Sequence, residues 1–229
     1  MKDRPADWSA AQMTKPLEVV LPAVAAAGFA GVWIDRRAYG PAADTMQHNV
    51  EAVVGAGAAM SSDGHFAFVD LRRFAADQRA RLGAQRLERV RDATLHPITV
   101  EYGDGFGMLE ADLSDTWRWA ERHARLELHN PKRRPQASVV TIPVAAGTAG
   151  EFHLDVRAPG APPERHTIAQ ERSRVQIRVV VPPGDSSIWL ATDAPRRPIA
   201  PSEVIKPEHI RIFPIDVTTE AMERALAGT

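Results

Sequence analysis

Two tryptophans one residue apart, in Trp117-Arg118-Trp119, are the side chains of this sequence best suited to hold a ligand. In a strand, alternate residues share a face, so both indoles point one way and Arg118 the other. Each indole offers an apolar, polarizable plane with an N–H handle, which is what stacking against a sugar ring requires. The same pattern describes two bulky residues filling the core of a β-protein. That assignment takes precedence, with a divided outcome between the two: one Trp buried and one at a groove. Trp189 alternates with Ile188 and Leu190, so it is expected to face away from their core and is the better candidate for an exposed aromatic. Glu110, which precedes the pair together with Phe106 and Leu109, completes the candidate ligand-binding set of Trp117, Trp119, Trp189 and Glu110.

Catalysis has less to build on. Asp35, Asp104 and Glu110 are carboxylates that a glycan-directed transferase or hydrolase could use, and Glu110 with Asp112 is a further acidic pair. Sequence spacing does not give the carboxyl separation that such chemistry depends on. Asp35 is the alternative catalytic candidate, because it ends the strand-like run Gly31-Val32-Trp33-Ile34-Asp35, where α/β active sites gather. A cap or salt bridge with Arg36 or Arg37 is the simpler role for it. No Gly-x-Ser-x-Gly elbow exists, and Ser61, Ser62, Ser186 and Ser187 fall in hairpins or strands. Gly103-Asp104-Gly105-Phe106-Gly107 follows a strand without opening a helix and lacks the Lys-Ser/Thr of a phosphate loop, so it reads as a turn or bulge. The eight histidines, among them His123, His129, His153 and His166, show no His-x-His or His-x-x-x-His spacing, and no metal or cofactor is assigned. With no cysteine, thiolate catalysis, cysteine zinc sites and disulfides are excluded. The residues favour binding or support over catalysis, and no catalytic residue is assigned.

The elements that must position these residues fall into two kinds. The first part alternates helix and strand. A helix opens near Pro16, with Thr14 as a candidate N-cap, runs through Leu21 and Val24 and stops at Gly28; Pro22 fits it only within the first turn. A buried-type strand comes next at Val32-Trp33-Ile34, then a helix capped by Asp44 and ending at Gly55 or Gly57. Asp63-Gly64 between Met60 and Val69 is a hairpin signal. The helix from about Phe74 to Asp92 carries Arg79, Arg81, Arg86, Arg89 and Arg91, interleaved with Asp77 and Glu88. It reads as a solvated connector, with contact to anionic lipid or phosphate as the sharper alternative. From Pro97 the period changes to two, at Ile98-Val100-Tyr102, Leu126-Leu128, Val140-Ile142-Val144, Leu154-Val156, Val175 to Val181, Ile188-Leu190 and Ile210-Ile212. Turn chemistry separates these runs at Asn130-Pro131, Pro159-Gly160 and Pro182-Pro183-Gly184.

The expected class is therefore α+β: a small α/β segment followed by an antiparallel, jelly-roll-like β-sandwich. The expected divisions are 1–75 for the segment, 76–95 for a helical linker, 96–217 for the sandwich and 218–229 for a C-terminal helix or tail. A chain of 229 residues with 44% apolar and 25% charged content can bury such cores. Its net charge of -1 argues against a nucleic-acid partner bound through bulk positive potential. No apolar run reaches a bilayer span, and no signal peptide is visible after Met1, which implies cytoplasm if Met1 is the true start.

Ala26 to Arg36, the Tyr39-Gly40 turn, Ser62-Asp63-Gly64-His65-Phe66 and Asp70-Leu71-Arg72 together resemble a stretch of large bacterial multi-spanning envelope proteins. These are the membrane glycosyltransferases and the sulfatase-like phosphoglycerol transferases, and the stretch lies in their soluble part. The opening Arg4-Pro5-Ala6-Asp7-Trp8 is similar to the segment before that stretch. Gly105-Phe106, Leu109-Glu110 and Trp117-Arg118-Trp119, with a β-rich tail, are similar to the segment after it. The resemblance covers about two-thirds of the chain. It implies an extracytoplasmic accessory region with a polysaccharide or oligosaccharide ligand and a membrane-protein partner, and it carries over no catalytic residue. Three readings result: a non-catalytic envelope module that binds carbohydrate or supports a membrane glycan transferase; an enzyme using the carboxylates above; and a structural fragment of a larger membrane protein, open along the Val32-Trp33-Ile34 edge.

Overall fold

The computed structural model describes residues 15–112, 115–197, 208–220 and 222. They divide into two compact units, 15–96 together with Met222, and 97–220.

In the first unit, helix α1 (Leu17–Ala26) starts from Pro16, whose carbonyl accepts from the Val19 and Val20 amides. Thr14, the expected cap, lies outside the described residues. Pro22 sits at the sixth helical position rather than in the first turn, so one i→i−4 bond, to Glu18, is forgone. Strand β1 (Gly31–Asp35) leads into a short helix α2 (Arg36–Tyr39), and α3 (Ala43–Val54) ends on Gly55 at φ +70°. Asp44 does not cap α3; its carboxylate binds Arg36 at 2.5 Å. Strands β2 (Ala59–Met60) and β3 (Phe66–Asp70) form the expected hairpin, with Gly64 at φ +70° in its turn. The sheet order is β1-β3-β2, antiparallel throughout. Its buried face is Ile34, Ala67 and Val69, whereas Trp33, expected to be buried, is 67% exposed and lies against Phe66 and Phe68.

Helix α4 (Arg72–Leu95) is broken at Gly83, which takes φ +71°. It is part of this unit rather than a linker: Val90 and Ala93 pack with Ala23 and Ala26 of α1 and with Met222. Four carboxylates of the unit titrate low, Glu51 among them through its hydrogen bonds from the Gln47 side chain and the Ala58 amide. Asp35 is held below its ordinary 3.8 by Arg37, Asp63 is held at about 2 by the Ser61 hydroxyl and the His65 amide, and Asp70 at about 2 by Arg72. A folded-state pKa below the unfolded one adds stability that is complete above pH 3.8 and is lost as the pH falls toward about 2. Thermal melts between pH 5 and pH 2 are therefore expected to fall with acid, and to fall less in Asp63→Asn and Asp70→Asn. An unchanged slope in both variants would remove this assignment.

The second unit is an antiparallel β-sandwich with eleven strands among the described residues. They are β4 (Thr99–Tyr102), β5 (Phe106–Ala111), β6 (Thr116–Ala120), β7 (His123–Asn130), β8 (Gln136–Ala146) and β9 (Phe152–Arg157), followed by β10 (Glu164–Ile168), β11 (Ser173–Val181), β12 (Gly184–Thr192), β13 (Ile210–Ile212) and β14 (Asp216–Thr219). One sheet runs β10-β9-β12-β7-β4, the other β11-β8-β13-β6-β5 with β14 also on β8. The chain changes sheets at β4–β5, β6–β7, β7–β8, β8–β9, β10–β11, β11–β12 and β12–β13, which is jelly-roll wiring. The period-two residues of the sequence supply the core, including Leu126, Leu128, Ile142, Leu154, Ile177 and Ile188. Each such side chain contributes about 1.5–3 kcal/mol on leaving water. Asn130 is buried at the β7–β8 turn, where its amide donates to the carbonyls of Arg134 and Val181 and its oxygen accepts from the Lys132 amide.

Pro143 lies inside β8 at no cost in hydrogen bonding. Its carbonyl accepts from the Phe213 amide, so its nitrogen faces the same edge, where β13 has ended and β14 has not begun. The expected C-terminal helix begins later than Thr218: β14 runs through Thr219, and Glu220 and Met222 are helical; the rest of the tail lies outside the described residues.

Candidate functional site

The outer face of the five-stranded sheet is made by the residues that alternate with the core. Along β12, Ile188 and Leu190 turn inward while Trp189 and Ala191 turn outward, as the sequence alternation implied. The same alternation sends out His123, Arg125 and Glu127 on β7, and Asp155 and Arg157 on β9. Register places Trp189 between Arg125 on one neighbour and Arg157 on the other. The indole is 52% exposed and stands at an open groove of about 650 Å³ walled by His123, Asp155, Arg157, Pro163 and Arg165. Arg165 grips Asp155 with two hydrogen bonds, at 2.6 and 2.9 Å, and holds its carboxyl below the usual carboxylate range.

The glycine-rich run 103–107 positions this site. The Arg125 amide donates to the Asp104 carbonyl at 2.8 Å, and the Asp104 carboxylate meets the Arg125 guanidinium at 3.0 Å. Glu127 flanks the same guanidinium at 2.6 Å and accepts from the Ser187 hydroxyl at 2.8 Å. So held, Arg125 lies 5.3 Å from the Trp189 ring centroid, a cation–π contact that fixes the indole from one side. Gly105 takes φ +80°, and a Cβ there would sit 2.2 Å from the His123 carbonyl oxygen and 2.8 Å from the Ala124 Cα. At Gly107 the nearest atom is an unstrained 3.6 Å away. Gly105→Ala is therefore expected to cost about 3 kcal/mol, from left-handed strain and backbone collision together, and Gly107→Ala less than about 1 kcal/mol. Chemical denaturation of the two variants checks this; equal costs would show that the close approach is not what Gly105 serves.

Trp117 and Trp119 do share a face, but it is neither the space between the sheets nor a bare platform. Ala120 and, by alternation, Arg118 point inward, where the Arg118 guanidinium lies 5.0 Å from the Tyr102 ring. Both indoles lie on the outer side of the six-stranded sheet. Arg211 covers the two, at 5.7 Å from Trp117 and 5.9 Å from Trp119, and Arg197 lies 5.2 Å from Trp119. Trp119 is only 8% exposed, and its indole N–H donates to Glu110 Oε2 at 3.0 Å. Arg197 is in turn paired with the buried Glu208 at 2.8 Å. Trp119 and Glu110 thus form an internal hydrogen bond beneath an arginine layer.

The other carboxylates are also engaged locally. Asp35 accepts from the Arg37 amide at 3.1 Å and from its guanidinium, so it starts α2 as a cap. The sheet that carries Asp35 is antiparallel, so the argument from C-terminal strand ends of parallel sheets does not reach it. Asp112 accepts from the Asp115 amide. Single acids accompany His129 (Asp185, 2.7 Å) and His153 (Asp193, 2.9 Å), and among the described residues no cluster of three or more His, Asp or Glu could hold a metal. No described helix is long and apolar enough to cross a membrane.

Asp155, Arg157 and Arg165 were not singled out from the sequence, and His123 was weighed there only as a metal ligand. The signal for Asp155 and Arg157 was present, because both alternate with Leu154 and Val156. What places them beside Trp189 is strand pairing across about thirty residues of chain, which no local pattern encodes.

No family model and no curated protein match the sequence. Among solved structures, the chain is similar to TmCBM61 in complex with β-1,4-galactotriose, with 14% identity over 54% of this chain and 89% of that one and a TM-score of 0.30. It is similar to a family 35 carbohydrate binding module from Clostridium thermocellum (11% identity, 52% of this chain, 90% of that one, TM-score 0.34). A family 35 carbohydrate binding module from an environmental isolate is similar at 11% identity, 53% of this chain and 93% of that one, with a TM-score of 0.35.

Proposed function

We propose that the β-sandwich is a non-catalytic carbohydrate-binding module whose ligand stacks on Trp189. The observation that carries this reading is a half-exposed indole fixed by Arg125 on the outer face of a rigid sheet, at an open groove with polar walls. An apolar ring face beside fixed donors and acceptors matches the two-sided chemistry of a sugar, which has C–H faces and hydroxyl edges. Preorganisation on a strand keeps the ordering cost of binding low. The carboxylates Asp35, Asp104 and Glu110 are each committed to Arg37, Arg125 or Trp119, which favours binding over glycan transfer or hydrolysis. The resemblance to envelope proteins supports a place at the extracytoplasmic face, beside a membrane-embedded glycan transferase.

Titration of a Trp33→Phe background with a panel of envelope polysaccharides tests the module. It leaves Trp189 as the most exposed of the remaining described tryptophans. A saturable change in emission and in acrylamide quenching is expected; a flat response across the panel would remove the sugar-binding reading.

A second reading, a segment that completes a larger assembly, is supported by the place of β1 at the edge of its sheet and by the exposed Trp33. It predicts concentration-dependent association in sedimentation velocity, and a clean monomer at high concentration counts against it.

A further inference from the structure

Resting on that reading, we infer that the glycan is anionic, carrying carboxylate groups received by Arg157, Arg122 and Arg196, arginines around His123 that have no ion pair among the described residues. Beside the Trp189 groove lies a second depression, of about 570 Å³, lined by Glu121, Arg122, His123, Pro195, Arg196 and His209. His123 lines both. The walls of the second depression are tied in place by backbone hydrogen bonds. The Thr192 amide donates to the Arg122 carbonyl, the His209 amide to the Ala120 carbonyl, and the Arg197 amide to the Glu208 carbonyl. His209 Nδ1 lies 2.7 Å from the Ala194 carbonyl, which orients the buried ring.

In the Trp189 groove the lining charges balance, Asp155 and Glu164 against Arg157 and Arg165, with Asp155 bound to Arg165 and Glu164 3.2 Å from His166. Arg157, paired in register with Trp189, has no acid partner among the described residues, and neither has Arg122 or Arg196. This contrasts with the rest of the sheet face, where Arg125 and Arg165 each have their carboxylate. The excess of positive charge lies in the second depression, which sets Arg122 and Arg196 against one acid, Glu121. Guanidinium is the side chain best matched to a planar carboxylate through two parallel N–H···O bonds. A sugar ring stacked on Trp189 has Arg157 at its edge, and the next residues of the polymer run past His123 to Arg122 and Arg196. A polyuronate offers that combination, rings with an apolar face and repeated carboxylates.

The test is isothermal titration calorimetry of the full chain against polygalacturonate, a neutral galactan and poly-glutamate, each at 50 and 500 mM NaCl. Polygalacturonate is expected to bind at least tenfold tighter than galactan at low salt, with the advantage shrinking at high salt as the arginine contacts are screened. Arg122→Gln/Arg196→Gln is expected to remove the preference while galactan binding persists, Arg157→Gln to reduce the preference and weaken galactan as well, and Trp189→Ala to weaken both polysaccharides. Equal affinity for galactan and polygalacturonate, or an arginine variant with an unchanged preference, overturns the inference and leaves the carbohydrate-binding reading standing. Poly-glutamate binding as tightly as polygalacturonate overturns it in favour of plain polyanion attraction. No binding to any of the three overturns both.

Discussion

Trp189→Ala should lose at least tenfold in affinity for whatever polysaccharide the wild-type chain binds, with its melting curve unmoved. The two halves of that expectation rest on different observations. The indole is half exposed on the outer face of its sheet, and its inward neighbours Ile188 and Leu190 hold β12 to the core without it. Truncation of such a surface residue changes stability by no more than about 0.5 kcal/mol. In binding, by contrast, a central aromatic anchor costs about 2 kcal/mol or more when cut to alanine, roughly thirtyfold in the dissociation constant. Trp189→Phe should fall between the two, because it keeps a stacking plane but loses the N–H handle and part of the area. Arg125→Ala should also fall between them, since the guanidinium 5.3 Å from the ring restrains the indole without being the surface that a sugar would stack on. Titration calorimetry with each variant, paired with a thermal melt, checks the set. Wild-type affinity in Trp189→Ala would place the ligand elsewhere on the molecule.

How far the sequence alone reaches can be judged residue by residue. The alternation of Leu126 with Leu128, of Val175 with Val181 and of Ile188 with Leu190 was legible because one face of each strand is buried and the other wet, which writes a period of two into the chain. The outward direction of Trp189 came from that same rule. β10 was not legible: in Glu164-Arg165-His166-Thr167-Ile168 only Ile168 is buried, since the strand lies at the sheet edge and leaves little apolar signal. Trp33 was misassigned for a related reason. A five-residue run rich in apolar side chains is equally a strand buried on two faces or on one, and here Ile34 takes the core while Trp33 rests on Phe66 and Phe68. The Arg-rich helix was legible as a helix but not as a packed one. Its contact with α1 sets Val90 among small residues, Ala23, Ala26 and Ala93, and alanine contributes little to a periodicity argument.

The candidate site was legible in one residue and hidden in its surroundings. Trp189 could be named in advance, but Arg157 reaches it through the β9–β12 pairing and Arg125 through the β7–β12 pairing. Pairing of strands far apart in the chain is decided by the whole sandwich, not by any window of residues. Glu110 stands beside the Trp117-Trp119 pair by its own strand's register: it lies opposite Trp117 and accepts from Trp119. Its role differs, because a carboxylate that accepts an indole N–H beneath an arginine layer is part of the structure's packing.

That difference gives the second large expectation, which separates the two tryptophan sites. Trp119→Ala should destabilise the sandwich by about 3–5 kcal/mol, the usual range for removing a buried indole. The ring is 8% exposed, lies under Arg197 and Arg211, and sits so close to Gly147 that a Cβ there would meet it at 3.0 Å. Its removal opens a cavity, takes the indole N–H donor from the Glu110 carboxylate and leaves the arginine layer without its support. Because so large a loss could unfold the chain, Trp119→Phe is the variant that decides function. It keeps most of the volume, loses the bond to Glu110, and should melt earlier while binding polysaccharide as the wild type does. Glu110→Ala should share part of that loss, and a double-mutant cycle of Trp119→Phe with Glu110→Ala should show a coupling of about 1 kcal/mol, since each alone breaks the same bond. If Trp119→Phe were instead folded and unable to bind, the ligand would belong to the outer face of the six-stranded sheet. The arginines 197 and 211 would then be a lid over that site rather than its cover. The geometry favours the first outcome: at Trp119 the indole already has its hydrogen-bond partner and its cations, whereas Trp189 has a cation on one side and open groove beside it.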